Sequence, residues 1–201
     1  MLVQALALAL RPWRGVAASG PPWPWLAWWA VMPLLWSTDR IAQIPVVQPL
    51  SGACLLMLMA GWPLAMLALA PVALIAALVG GLDLAQAVHR LAWLGIVPAT
   101  LAMLFGAALR RWLPNHLFVY ILGRGFFASA LATTAAGMLA WWRTGSPTGT
   151  STDDLLIARW LAGWGEAVLT GMLVAIFVAF RPAWLATYSD RLYLPAAPPP
   201  K

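Results

Sequence analysis

Two charges stand in stretches that are otherwise built for hydrocarbon. Glu166 is the only charge in the 21-residue run Trp160–Phe180, WLAGWGEAVLTGMLVAIFVAF, which is long enough to cross a bilayer as a helix. Arg124 interrupts the preceding apolar run, LFVYILGRGFFASALATTAAGMLAWW. A carboxylate in the bilayer interior costs roughly 2.5–3.5 kcal/mol on insertion scales. Such a group is usually paired, lines a cavity or carries function.

The spacing predicts a pair. Counted from Pro114 and from Arg181, Arg124 lies roughly 15 Å deep and Glu166 roughly 22 Å, and the arginine side chain spans the roughly 7 Å between them. The two helices are consecutive and antiparallel, hence expected neighbours. An Arg124–Glu166 ion pair lowers the burial cost of both charges. Tyr120 and Thr170, each one turn away, are placed to complete the hydrogen bonding. Two readings follow. In one, the pair only locks helix packing. In the other, Glu166, with Thr170 and Tyr120, lines a polar pathway in the outer part of the membrane. Gly123, Gly125, Gly163, Gly165 and Gly171 surround these charges and permit close helix approach.

Candidate metal ligands are few. Cys54 and Met57 share one helical face, with Met59 nearby, and thiol and thioether donors suit Cu(I). Ordinary core packing is the competing reading. His89 and His116 fall at opposite predicted membrane faces. Nothing resembles a catalytic triad, a zinc-binding helix or a phosphate loop, so no enzyme and no resident cofactor are expected.

The elements that must position these groups are membrane helices. The 201 residues are 63% hydrophobic and 9% charged, with a mean hydropathy of +0.82, far from the composition of a soluble domain. The net charge of +6 comes from arginine, Lys201 being the only lysine, and with so little polar surface a nucleic-acid partner is excluded. A single cysteine excludes an internal disulfide. Fourteen tryptophans, among them Trp23, Trp25, Trp28, Trp29, Trp112, Trp141, Trp142, Trp160 and Trp184, suit interfacial belts.

The expected fold is an all-α polytopic bundle of about five or six membrane helices, some kinked at proline. One integral membrane domain covers 1–194, and a Pro-rich disordered tail covers 195–201. Segments 1–10 and 25–36 are short. Leu50–Val79 reads as a tilted helix kinked near Pro63 and Pro71, or as a short helix followed by a full one. Asp83 and Gln86 resemble a capping box that opens the next helix. Asn115 and Thr152 are the expected caps of the two helices after it. Tyr188–Lys201 is expected to lie outside the membrane. If Leu50–Val79 and the three later helices each cross once, one side receives Arg40, Arg110, Arg111, Arg181, Arg191 and Lys201. The other receives Arg11, Arg14, Arg90, Arg143 and Arg159. Six against five puts the C-terminus in the cytosol.

Several short runs carry a resemblance: Trp62-Pro63-Leu64-Ala65, Leu117-Phe118-Val119-Tyr120-Ile121, Gly125-Phe126-Phe127-Ala128, Glu166-Ala167, Gly171-Met172, Pro182-Ala183-Trp184-Leu185 and Tyr193-Leu194. In order and spacing, from about Pro49 to Leu194, the chain resembles the energy-coupling factor ABC transporter permeases, relatives of the cobalt/nickel permease component. The resemblance implies a multi-helix subunit of a bacterial inner membrane that captures a transition metal ion as its cargo. It also implies partners: a transmembrane coupling protein and ATPase subunits. The alternative is a structural or assembly membrane protein that transports nothing.

Overall fold

The computed structural model describes residues 2–12, 23–43, 48–145 and 151–194. Among these, the regular structure is helical and no strand forms. The elements are α1 (Leu2–Ala9), α2 (Pro24–Trp36), α3 (Thr38–Ile41), α4 (Ala53–Ala60), α5 (Trp62–Gly80), α6 (Leu84–Trp112), α7 (Val119–Thr144), α8 (Thr152–Phe180) and α9 (Asp190–Tyr193). Helices α5 to α8 are each long and apolar enough to cross a membrane. The protein is an all-α membrane-type bundle. The shorter α1 and α2 pack on α5 and are below spanning length singly. The tail 195–201, expected to be disordered, lies outside the described residues.

Lipid-facing helices gain little from hydrophobicity against one another, so small residues set how closely they pack. Helices α7 and α8 lie along each other through such contacts. A Cβ on Gly163 would stand 2.1 Å from Thr134 Oγ1 and 3.0 Å from the Ala130 carbonyl oxygen. At Gly171 it would meet the Phe126 side chain at 3.1 Å.

The segment before α5 departs from the expected single crossing. Helix α4 ends at Gly61, whose φ of 80° and ψ of 156° turn the chain, and α5 starts again at Trp62 with Pro63 in its first turn. Of the two readings of Leu50–Val79, the short helix followed by a full one is the one that forms. Helix α5 then continues through Pro71 to Gly80.

The ends of α4 and α5 show the path. The carbonyls of Leu58 and Met59 accept hydrogen bonds from the backbone N–H groups of Thr187 and Ala186, at the end of the bundle that holds the C-terminal segment. Gly80 packs against Arg40 at the other end. Residues 48–60 therefore dip into the bundle and α5 returns to the end they came from. Such a re-entrant segment is stable because protein, not lipid, surrounds it: all of Ala53 to Met59 is buried. This corrects the charge count. Arg40 sits with Arg90, to which its neighbour Asp39 is paired, and not on the side of the C-terminal segment.

Two caps differ from expectation by one residue. Helix α8 is capped by Ser151, whose Oγ accepts from the Asp154 N–H at 3.1 Å, one position before Thr152. Before α7, the His116 ring accepts from the Phe118 N–H at 3.3 Å, the place expected for Asn115. Asp83 caps α6 as expected, accepting from the Gln86 N–H at 2.7 Å.

Candidate functional site

The entry to α4 is the polar centre of the bundle. Gly52 has φ 66°, a conformation that glycine adopts without strain, and the Trp28 indole lies 3.0 Å from where a Cβ would stand. This turn leaves the N–H groups of Ser51 and Gly52 pointing into the protein interior, where water cannot meet them. Glu166 meets them. Its two carboxylate oxygens accept from Gly52 N–H at 2.8 Å and Ser51 N–H at 2.9 Å, and the residue is fully buried. An anion at this position also faces the positive end of the α4 dipole.

The remaining polar groups of the turn are satisfied from α2, α6 and the first residue of α4. Trp36 donates its indole N–H to the Ser51 carbonyl at 2.7 Å, and Trp28 donates to the Gly52 carbonyl at 2.9 Å. The Ser51 hydroxyl donates to the Leu94 carbonyl at 2.6 Å and accepts from the Ala53 N–H at 3.0 Å. Leu94 stands four residues before Pro98, which has no N–H to give it. The helix is π-type over Leu91–Ile96 just there. One short turn is thus held by α2, α6 and α8 at once. Trp29 likewise donates to a backbone carbonyl, that of Ala68, at 2.8 Å.

Arg124 does not pair with Glu166. The expected ion pair is replaced by two separate arrangements, because the Ser51 and Gly52 amides occupy both carboxylate oxygens. Arg124 lies in a π-helical stretch, Val119–Phe127, and its guanidinium sits 5.3 Å from the centre of the Tyr120 ring. Its Nη1 donates to the Thr187 carbonyl and the Tyr193 hydroxyl, both at 3.4 Å. Cation–π contact and these longer bonds hold the charge in place of a carboxylate. Tyr120 itself is buried, shares a 2.8 Å hydrogen bond with the Thr187 hydroxyl and packs against Tyr188 and Tyr193. The segment after α8, expected outside the membrane, folds back onto the bundle as far as Leu194, with Leu185 and Tyr193 buried.

The other candidates are dispersed. Thr170 is buried one turn from Glu166 on α8. Cys54 and Met57 are both buried on α4, and the Cys54 thiol points to the Pro98 carbonyl at 3.8 Å and the Thr133 hydroxyl at 3.9 Å. Among the described residues no three His, Cys, Asp or Glu side chains gather as a metal site.

Sequence reasoning missed a cavity. It has a volume of about 180 Å³, and Asp39, Gln48, His89, Arg90, Trp93 and Arg159 line it. It lies at the end of the bundle where α6 and α8 begin. Arg90 is neutralised within it: its guanidinium holds Asp39 through both oxygens, at 2.9 and 2.5 Å, and also donates to the Trp36 carbonyl. Burial raises the Asp39 pKa, but the hydrogen bonds and positive charge of Arg90 outweigh it and hold the carboxyl below its usual range.

No family model, curated protein or solved structure matches the chain.

Proposed function

We propose that this protein is a permease-type membrane subunit of an energy-coupling-factor-like transporter, energised by partner ATPases. The observation that carries the reading is Glu166: a fully buried carboxylate in a spanning helix, clamping the entry of a re-entrant half-helix. Broken helices whose N-terminal ends meet charge deep in the bundle are the working parts of transporters. The resemblance of residues 49–194 to the permease family supports the same reading, and with it a bacterial inner membrane and a cobalt-like transition metal ion as cargo.

The geometry sets a condition on that cargo. Glu166 ligates a cation only by releasing the Ser51 and Gly52 amides, so capture at Glu166 and movement of the α4 entry turn are one event. Thr170 and Tyr120 belong to the proposed pathway, Thr170 beside Glu166 and Tyr120 at the C-terminal end. Cys54, two residues beyond the clamped Gly52, and Met57 on the same helix are the soft donors nearest in sequence to it.

A second reading is favoured by the same clamp. With both oxygens occupied by backbone donors, Glu166 serves as a structural lock, and the protein is a non-transporting assembly subunit. Metal-dependent thermal stability of the purified protein separates the two, since a ligand that binds the folded state raises its melting temperature by mass action. Cobalt, nickel, copper(I) and zinc are titrated against wild type and Glu166→Gln. Stabilisation of the wild type by one metal, lost in the variant, supports capture at Glu166. No shift with any metal, with the variant already less stable without metal, supports the lock and overturns the capture reading.

A further inference from the structure

Among the described residues, no acidic side chain answers the charge of Arg159 in this cavity. All six acidic side chains of the chain are described, and none lies within 4.0 Å of Arg159. Asp39, the only acid in the cavity wall, is taken by Arg90. Arg159 itself donates Nη1 to the Gly137 carbonyl at 2.5 Å and reaches the Gln48 amide oxygen only at 3.5 Å. Its Nε is buried without a partner. With Arg90, Arg159 and Asp39 in the wall, the cavity carries one net positive charge before His89 is protonated.

The position makes that charge expensive. Arg159 is seven residues into α8, roughly 10 Å along its axis, with Trp160 and Leu161 next in sequence. A guanidinium this far from the helix end gains from an anion more than a surface arginine would, because less water competes. A volume of 180 Å³ holds about six waters at about 30 Å³ each, or one oxyanion group with part of its hydration. A wider recess of about 370 Å³ shares His89 and Arg90 with the cavity and leaves room for whatever the oxyanion is attached to.

We propose that this cavity is a binding site for one phosphate-type oxyanion, held by the Arg159 guanidinium with Gln48 and His89 beside it. A guanidinium is the side chain best matched to phosphate oxygens. The oxyanion has two possible sources, a soluble phosphate compound or the headgroup of an anionic lipid. The inference is independent of metal capture at Glu166, which sits two turns further along α8 and does not line the cavity.

The test uses the full chain in nanodiscs. In phosphatidylcholine discs, inorganic phosphate is titrated against chloride at matched ionic strength, and melting temperature is recorded. In a second arm, phosphatidylglycerol replaces part of the phosphatidylcholine and no phosphate is added. A phosphate-specific rise in phosphatidylcholine, weakened about tenfold or more by Arg159→Gln, identifies a soluble oxyanion. A rise with phosphatidylglycerol that the variant loses, without response to free phosphate, identifies a headgroup.

Gly137→Ala gives a second variant that keeps the charge. Its new Cβ would stand 2.6 Å from the Gln48 amide oxygen and 3.2 Å from Arg159 Nη1, displacing both. It too is expected to weaken binding, and it covers the case in which Arg159→Gln fails to fold. Absence of any response in both arms, or a response that the folded variants leave unchanged, overturns the proposal.

Discussion

The carboxylate of Glu166 and the backbone N–H of Gly52, 114 positions apart in sequence, meet at 2.8 Å in the interior of the bundle. The bond joins α8, a helix of spanning length, to the short buried helix α4, and its twin at Ser51 closes a fork around a single turn. A glutamine in place of Glu166 offers one acceptor to two donors and turns its own NH₂ toward the other. One buried N–H is then unsatisfied, at a cost of about 1–3 kcal/mol. Thermal unfolding in detergent should show Glu166→Gln less stable than wild type by this order. An unchanged melting temperature would mean that the fork contributes nothing.

The spanning helices were legible because each of α5 to α8 carries an apolar run of bilayer length with punctuation at its ends: Gly80-Gly81, Pro114 and Arg181-Pro182. Glu166 stood out because its charge has no business in such a run. Its partners did not, because they are backbone amides, which have no residue type to read. The Gln48–Gly52 turn looks like a loop and gives no sign that it enters the bundle. The same blindness misplaced Arg40, whose side of the membrane depends on whether residues 48–80 cross once or dip and return. Tryptophan was ambiguous for a related reason. An indole N–H serves equally at a headgroup or at a buried carbonyl, and Trp28, Trp29 and Trp36 chose carbonyls.

Arg124 and Glu166 should behave as independent sites. If they shared an ion pair, the double variant Arg124→Gln/Glu166→Gln would be much less damaging than the sum of the singles. Because Arg124 is held by Tyr120, Thr187 and Tyr193 instead, the two effects should add to within about 0.3–0.5 kcal/mol. Coupling well above that in a double-mutant cycle would restore the pair.

Loss of Arg124 has its own signature. The segment Arg181–Leu194 is tied to α4 through Ala186 and Thr187 and to α7 through Tyr120 and Arg124. Arg124→Gln removes one of these ties. Amide exchange should quicken at 185–194 while the interior of α7 and α8 stays protected. Uniform loosening of the whole bundle would contradict this placement of the arginine.

The contact of α7 with α8 at Gly163 admits no side chain. In Gly163→Ala the methyl group would stand 2.1 Å from the Thr134 hydroxyl and 3.0 Å from a backbone oxygen. The hydroxyl can turn away, whereas the Ala130 carbonyl cannot move without α7. Overpacking of this kind costs about 1–3 kcal/mol. Thr134→Ala, which deletes the hydroxyl, should return part of that loss when combined with Gly163→Ala. Full stability of the single variant would show that the helices are not so closely set.

The Asp39–Arg90 pair predicts a pH dependence with a definite sign. The Asp39 carboxyl is held below its ordinary value of about 3.9 by Arg90, against the opposing effect of burial. A carboxyl whose folded pKa is lowered binds its proton more readily when unfolded. Its stabilisation is therefore fully present above the unfolded pKa and is lost as pH falls through the lower, folded one. Asp39→Asn should accordingly melt below wild type by a constant margin from neutral pH down to about 5, and the two curves should converge below about 4. The measurement is melting temperature against pH for both proteins. A margin that persists at low pH would assign the loss to packing around α3 instead of to the charge.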